Sequence, residues 1–207
     1  MGQRLAGIFW NRDERRLRAG WRLLFFVVLL ALCAFLVQVP LNQITAALFN
    51  QMTGPLALEV SRGLDGLVSI LAITGAVVLG GWLLDRRRFT DFGFHLGRDW
   101  WIDFGFGLAL GGLLMAGVFA AELALGWVTV TDIWRGSGGL AFPVAILTPL
   151  IAFLFVGFYE ELLVRGYLLR NLAEGLGFEP ISARWALLLA WLLTSALFGF
   201  LHAGNPN

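Results

Sequence analysis

The apolar residues of this chain fall into five long runs separated by more polar stretches. A helix needs about 20 mostly apolar residues to cross a membrane, and each run is close to that length. The stretch from Leu41 to Val60 is weaker, because amides and a carboxylate interrupt it, and we expect an external loop or an interfacial helix there. The five runs are residues 21–39, 64–84, 101–125, 140 to about 163, and 185–201. The pattern predicts an all-α fold, a polytopic transmembrane helical bundle with about five spans.

The composition supports a membrane protein and argues against several other classes. The 207 residues are 58% hydrophobic and only 14% charged, which is too little polar surface for a soluble domain. A net charge of +1 gives no reason to expect a nucleic-acid partner. The hydrophobic composition makes membrane lipid the expected surrounding. The single cysteine, Cys33, allows neither an intrachain disulfide nor a Cys-x-x-Cys metal site.

The positions of the basic residues predict the orientation in the membrane. The first apolar run is too long for a signal-peptide core and no cleavage site follows it, so we expect an uncleaved anchor. With the N-terminus in the cytoplasm, all of the 15 basic residues except Arg62 and Arg135 fall on the cytoplasmic side. We therefore expect residues 1–20 to be a cytoplasmic basic segment. Residues 21–207 would form the transmembrane domain of a multi-pass cell-membrane protein, with the bacterial inner membrane as the expected location.

Three charges interrupt the fourth apolar run. Glu160, Glu161 and Arg165 lie in the segment FLFVGFYEELLVRGYLLRNL, and an isolated charge near mid-membrane costs roughly 2.5–3.5 kcal/mol. In a helix Glu161 and Arg165 share a face and can neutralise each other. Glu160 is rotated by about 100° from its neighbour and needs water or another helix as a partner, which makes it a candidate general base. The alternative, a charged patch at the cytoplasmic membrane surface, stays open at this point.

A second polar spot lies at the end of the fifth run, where Phe198 and His202 share one helical face. A histidine at the end of a span is by itself an ordinary interfacial residue. It can meet Glu160 only if the fourth helix continues past Arg165 to about residue 175. Glu160 would then stand about 22 Å above the end of the fourth helix, and His202 would stand about 30 Å above the start of the fifth helix. Helix tilt can absorb this difference in height.

Two short motifs in this region resemble those of a known family. Residues 160–165, EELLVR, resemble the EExxxR motif of the CPBP family, which includes the CAAX prenyl protease 2 and Abi membrane proteins. Phe198-Gly-Phe-Leu-His202 resembles the second family motif, FxxxH. The motifs stand about forty residues apart on consecutive helices, as in the family. The resemblance covers residues 150–207, and the earlier spans match only as generic membrane helices.

The resemblance implies an intramembrane endopeptidase with a peptide or protein substrate, which is prenylated in the eukaryotic members. It makes Glu160 the base that activates the attacking water and His202 its partner at that water. Glu161 and Arg165 become the supporting pair, and Phe198 a candidate substrate-binding residue. The family is often labelled as metalloprotease, which suggests zinc with Glu160 and His202 as candidate ligands. A metal-free, glutamate-activated water is equally consistent with these residues.

One family feature is missing. The family carries a third motif in a later span, a histidine with an asparagine or similar residue four positions on, thought to hold the oxyanion. No such motif follows His202 before Asn207, so we expect a fragment, a truncated product or a degenerate member, with the C-terminal part of the domain missing. Losing one oxyanion donor commonly lowers the rate by about 10²–10³, so we predict that the chain as given is inactive or nearly so.

Two other functions stay open. A non-catalytic family member could act in bacteriocin immunity or as a membrane scaffold. An unrelated transporter or channel would use Glu160 as an ion site, but its spans would be more polar or more often broken by Gly and Pro. A zinc site built by this chain alone is not expected, because it has two histidines and one of them, His95, lies in a loop.

Overall fold

The computed structural model describes residues 9–11, 14–49, 54–136, 138–177 and 181–205. Five helices in these ranges are long and apolar enough to cross a membrane, which confirms the all-α, polytopic fold. The α-helices are α1 (Ala19–Phe49), α2 (Pro55–Gly80), α3 (Arg98–Ala124), α4 (Phe142–Glu161), α5 (Leu169–Leu176) and α6 (Ala183–His202). The shorter elements are β1 (Trp10–Asn11), β2 (Arg16–Leu17), a π-helical turn (Gly81–Asp85), a 3₁₀ turn (Phe89–Phe92) and a π-helical segment (Leu162–Leu168).

Of the loop or interfacial helix expected between Leu41 and Val60, the loop is wrong for residues 41–49 and 55–60, which are helical, and an interfacial helix stays a prediction. Residues 41–49 complete α1 and residues 55–60 begin α2, while 50–53 lie outside the described residues. Helical backbone hydrogen bonds do not require apolar side chains, so a helix continues where hydropathy falls. Pro55 stands in the first turn of α2, where its missing N–H removes no helical bond.

The chain divides into two compact units, residues 1–93 with 147–207, and residues 94–146. The second unit contains α3, which has no buried residue. Its first turns carry an aromatic cluster in which Trp100 stacks on Phe104 with ring centroids 5.3 Å apart. Aromatic residues at the end of a span are typical of the membrane–water interface.

The core of the first unit lies where α1, α2 and the π-helical segment meet. Phe26 of α1 stacks on Tyr167 of the π-helical segment, with ring centroids 3.7 Å apart, and both side chains are fully buried. Gly80 of α2 makes this contact possible, because a Cβ there would lie 2.7 Å from the ring of Phe26. The segment that contains Arg165 is therefore anchored in the core through Tyr167.

The N-terminal segment contains a small β-hairpin. Trp10 pairs with Leu17 and Asn11 with Arg16 in an antiparallel register. Arg16 Nη1 donates a hydrogen bond to the carbonyl oxygen of Asp85 at 3.1 Å, which joins the hairpin to the π-helical turn that follows α2. The basic segment expected before the first span therefore includes a folded element that contacts the helices.

Candidate active site

The fourth spanning helix runs without interruption from Phe142 to Leu176. It consists of α4, the π-helical segment and α5. The condition that the helix continue past Arg165 is therefore met. Glu160 lies well inside this helix, and His202 is the last residue of α6.

The π-helical segment begins directly after Glu161 and contains Arg165. A π-helical turn holds more residues than an α-helical turn and changes the faces that the following side chains occupy; such turns are frequent at functional sites. One side of this segment is buried against the core through Leu162, Val164, Gly166 and Tyr167.

The carboxylate of Glu160 meets the imidazole of His202. Glu160 Oε1 lies 3.3 Å from His202 Nε2, and the two side chains are 24% and 36% exposed. The spacing of the charges predicted that Glu160 needs a partner outside its own helix, and His202 of α6 is such a partner. Neither side chain is fully enclosed by the protein, so the pair lies at the protein surface.

A backbone hydrogen bond fixes which nitrogen of His202 faces the carboxylate. His202 Nδ1 lies 2.9 Å from the carbonyl oxygen of Phe198, one helical turn earlier. A carbonyl oxygen can only accept, so Nδ1 carries a proton and Nε2 is the nitrogen that faces Glu160. The rings of Phe198 and His202 also contact each other, with centroids 4.2 Å apart.

Arg165 connects the two motifs. Its Nη1 lies 3.4 Å from Glu161 Oε1, and its guanidinium carbon lies 4.9 Å from the centre of the Phe198 ring. The cation–π contact and the ion pair place Arg165 between its own motif and the second one. The structure thus brings together all five site residues predicted from the sequence, which we term the motif cluster: Glu160, Glu161, Arg165, Phe198 and His202.

Sequence reasoning missed a second charged cluster, centred on the carboxylates of Asp85 and Glu174. Arg22 Nη1 lies 2.6 Å from Asp85 Oδ1, and its Nη2 lies 2.9 Å from Glu174 Oε2. Both Arg22 and Asp85 are almost completely buried. Asn171 donates a further hydrogen bond to Asp85 at 3.3 Å, and Arg87 pairs with Glu174.

Arg16 of the hairpin completes this second cluster, which we term the clasp: Arg16, Arg22, Asp85, Arg87, Asn171 and Glu174. Arg16 Nη2 lies 3.1 Å from Glu174 Oε2, and its Nε lies 3.0 Å from Glu14. Burial lowers the pKa of the Arg16 guanidinium, but the hydrogen bond with Glu14 and the nearby carboxylates outweigh this, so the pKa is raised. The clasp ties together the hairpin, the start of α1, the end of the π-helical turn that follows α2, and the end of α5.

The fold and the motif cluster define a class: a multi-pass helical membrane protein with a glutamate–histidine pair between its last two described spans, supported by an arginine. Residues 141–207 match the family model described as type II CAAX prenyl endopeptidase Rce1-like. The match includes both motifs and confirms the family resemblance, so at family level it supports a CAAX-type intramembrane protease. No curated protein and no solved structure matches the chain.

The motif cluster holds too few ligands for a catalytic zinc ion. A catalytic zinc ion takes three protein ligands and a water molecule. Glu160 and His202 supply two donors, and within the described ranges no three His, Cys, Asp or Glu side chains lie close enough to share an ion. The described part of this chain therefore does not supply a complete set of zinc ligands.

Proposed function

We propose that the protein is an intramembrane endopeptidase of the CAAX prenyl protease 2 type, in which Glu160 activates the attacking water. The observation that carries the proposal is the 3.3 Å approach of Glu160 Oε1 to His202 Nε2. A water molecule beside this pair would be within hydrogen-bond distance of both side chains. This is the geometry that general-base catalysis requires.

In the proposed reaction Glu160 removes a proton from the water, and the oxygen of that water attacks the carbonyl carbon of the scissile peptide bond. The carbonyl oxygen becomes an oxyanion in the tetrahedral intermediate. Glu160 then returns the proton to the leaving nitrogen, and the C–N bond breaks to give a carboxylic acid and an amine. The water is consumed, and the carboxylate of Glu160 is regenerated.

His202 would act through its Nε2 atom. With Nδ1 already protonated, a second proton on Nε2 makes His202 an imidazolium, whose charge attracts the Glu160 carboxylate and whose Nε2–H can donate to the water or to the developing oxyanion. The hydrogen bond from Nδ1 to the carbonyl of Phe198 holds the ring in this orientation. His202 is therefore proposed as the partner that positions the water and stabilises negative charge.

Arg165 and Glu161 would support the pair from the adjacent turn. Glu161 is 61% exposed and contacts Arg165 at 3.4 Å, so its charge is balanced within the motif. Arg165 lies against the face of Phe198, which is the residue whose carbonyl orients His202. We propose that this contact keeps α6 in register with the π-helical segment, and that Phe198 also meets the substrate.

The proposal is tested by proteolysis of a farnesylated peptide with a C-terminal CAAX sequence, by the protein in detergent. Glu160→Gln is expected to lower kcat by about 10²–10⁴, the contribution of a general base, and His202→Ala by about 10²–10³, the cost of losing a stabilising donor. Glu122→Gln is the matched control, because it removes a carboxylate from α3, outside the motif cluster. Its rate should equal that of the unmodified protein.

Both the 207-residue chain and the product of its complete reading frame should be assayed. The third family motif is expected to supply the oxyanion donor, so a reading frame that contains it should be the faster enzyme. Cleavage that persists in Glu160→Gln would contradict the assignment of the base. Absence of cleavage in a protein with all three motifs would favour another substrate class, and absence in one without the third motif would favour a non-catalytic role.

A further inference from the structure

A cavity of 710 Å³ lies between the N-terminal hairpin, the first turn of α1 and the end of α5. This volume is within the range of small-molecule binding sites. Asn11 and Glu14 of the hairpin line it on one side, and Glu174 and Gly175 of α5 line it on another. No residue of the motif cluster lines the cavity, so the proposed protease function gives it no role.

The first turn of α1 forms a wall of this cavity, because α1 and α5 approach each other closely. A Cβ on Gly175 would lie 3.0 Å from the Cβ of Ala19. Beside Gly20 the space is open, since nothing lies within 4 Å of a Cβ there. A ligand in the cavity can therefore reach the backbone at the N-terminus of α1.

Two backbone N–H groups of this turn have no acceptor within the described part of the chain. The N–H groups of Trp21 and Arg22 donate to the carbonyl oxygen of Arg18 at 3.0 Å and 3.1 Å. Those of Ala19 and Gly20 donate to no described residue. The unpaired N–H groups and the dipole of a long helix together attract an anion.

A buried arginine with an unused donor lies at the same place. Arg22 lines the cavity and is only 1% exposed. Its Nη1 and Nη2 bind Asp85 and Glu174, while its Nε has no hydrogen-bond partner in the described chain. A buried donor without an acceptor is unfavourable, and the side chains of a helix tilt towards its N-terminus. The guanidinium of Arg22 therefore adds positive charge beside the unpaired N–H groups.

The other charges around the cavity also favour an anion. Glu174 is paired with three arginines of the clasp, and Glu14 is paired with Arg16 at 3.0 Å. The negative charge of both carboxylates is therefore balanced by arginines. Arg18, which is exposed, also lines the cavity and makes its charge positive.

The apolar side of the cavity indicates that the anion belongs to a membrane lipid. Trp21 and Leu24 line the cavity, and Leu24 and Phe25 are 53% and 47% exposed on the first spanning helix. A tryptophan at the end of a span is typical of the level at which lipid headgroups lie. The exposed residues one turn further along the span lie beside the acyl chains of such a lipid.

We propose that this cavity binds the phosphodiester group of an anionic phospholipid. The phosphate accepts hydrogen bonds from the backbone N–H groups of Ala19 and Gly20. Arg18 and the guanidinium of Arg22 balance its charge, and the acyl chains lie along Leu24. The site does not depend on the proposed protease function.

Binding is measured by native mass spectrometry of the 207-residue protein in detergent, titrated with phosphatidylglycerol or with phosphatidylcholine of the same acyl chains. Phosphatidylglycerol should bind about 10-fold more tightly, because its headgroup carries no cation to oppose the arginines. An excess of inorganic phosphate should not displace it, because free phosphate lacks the acyl chains.

Arg18→Gln should weaken the binding of phosphatidylglycerol about fivefold and leave that of phosphatidylcholine unchanged. Arg15→Gln is the matched control, because Arg15 is an exposed arginine of the same hairpin that does not line the cavity. It should leave both affinities unchanged.

Gly20→Asp tests the helix N-terminus without disturbing the fold. The new Cβ has open space, and a carboxylate in the first turn of a helix is stabilising. The same carboxylate repels the phosphate, so the affinity for phosphatidylglycerol should fall by about 10-fold or more while the melting temperature of the lipid-free protein is not lowered. Gly20→Asn, which has nearly the same shape without the charge, should retain most of the affinity.

Three results would overturn the proposal. Equal affinities of the unmodified protein for the two lipids would show that the site does not select an anionic headgroup, and this comparison requires no variant. An equal loss of affinity in Arg15→Gln and Arg18→Gln would assign the binding to general attraction by a basic surface. Displacement of phosphatidylglycerol by inorganic phosphate would identify a site for soluble phosphate instead of lipid.

Discussion

At the scale of single residues, the most deeply buried charges of the described chain are Arg22 and Asp85. Moving an ion out of water costs several kcal/mol, and only good geometry with further hydrogen bonds offsets this. Here the 2.6 Å contact between the two is supplemented by Asn171 on Asp85 and by Glu174 on Arg22. Removing one partner would leave the other charged and buried, which is much less favourable than the intact pair.

Asp85→Ala is therefore expected to destabilise the protein by about 3–5 kcal/mol, because Arg22 loses its closest counter-charge. Asp132→Ala is the control, since Asp132 forms an exposed ion pair with Arg135 at 3.2 Å and should contribute less than about 1 kcal/mol. The measurement is the midpoint of denaturant unfolding in detergent, followed by tryptophan fluorescence. Similar midpoints for the two variants would show that the clasp is not a stabilising element.

The two charged clusters differ in how visible they are in the sequence. Glu160, Glu161 and Arg165 stand out because a charge inside an apolar run is energetically unfavourable, so its presence indicates a functional or paired group. Arg22 and Asp85 lie at the ends of apolar runs, where charges are common, and so give no such signal. Their pairing also joins residues 63 positions apart, and sequence spacing alone does not predict contacts between helices.

At the scale of elements, the π-helical segment has the largest effect on the motif cluster. It follows Glu160 and Glu161, the last residues of α4, and contains Tyr167, whose ring stacks on Phe26 in the core. Gly166 packs against the backbone of Phe92, where a Cβ would lie 3.1 Å from the carbonyl oxygen. The core contacts therefore fix the rotation of the helix directly after Glu160.

Gly80→Ala should disturb this arrangement, because the new Cβ would lie 2.7 Å from Phe26 and 3.2 Å from the hydroxyl of Tyr167. Overpacking of this kind typically costs about 1–3 kcal/mol. Gly75→Ala is the matched control in the same helix, since nothing lies within 4 Å of a Cβ there. Both changes gain the same helix propensity, so the difference between their melting temperatures in detergent isolates the steric effect. An equal or higher melting temperature for Gly80→Ala would contradict this account of the core.

The helices were predictable and the π-helical segment was not, for a physical reason. A membrane span is predicted from hydropathy summed over about 20 residues, and this sum does not determine the residues at which the helix begins and ends. This explains why α1 and α2 extend beyond the apolar runs, through residues 41–49 and 55–60. An α-helical and a π-helical turn have the same composition, and the choice between them depends on packing against Phe26 and Phe92.

At the scale of the whole molecule, the clasp holds several ends of the helices together, and these ends are expected on the same side of the membrane. It brings the hairpin, the π-helical turn that follows α2 and the end of α5 to one side, as the proposed threading requires for these parts of the chain. The second spanning helix, from Pro55 to Asp85, is 31 residues long, or about 46 Å, which exceeds the hydrocarbon thickness of about 30 Å. Its two ends must therefore be accessible from opposite sides of the membrane.

The distribution of arginines predicts which end of this helix faces the cytoplasm. Single cysteines at the two ends of the helix test that prediction. In a Cys33→Ser background, Thr90→Cys reports on the clasp end and Leu56→Cys on the other; both positions are exposed. Because the basic residues concentrate at the clasp end, a membrane-impermeant maleimide added to intact cells should label Leu56→Cys and not Thr90→Cys. Permeabilised cells should label both, which controls for reactivity. Labelling of Thr90→Cys alone in intact cells would place the clasp outside and contradict the proposed threading.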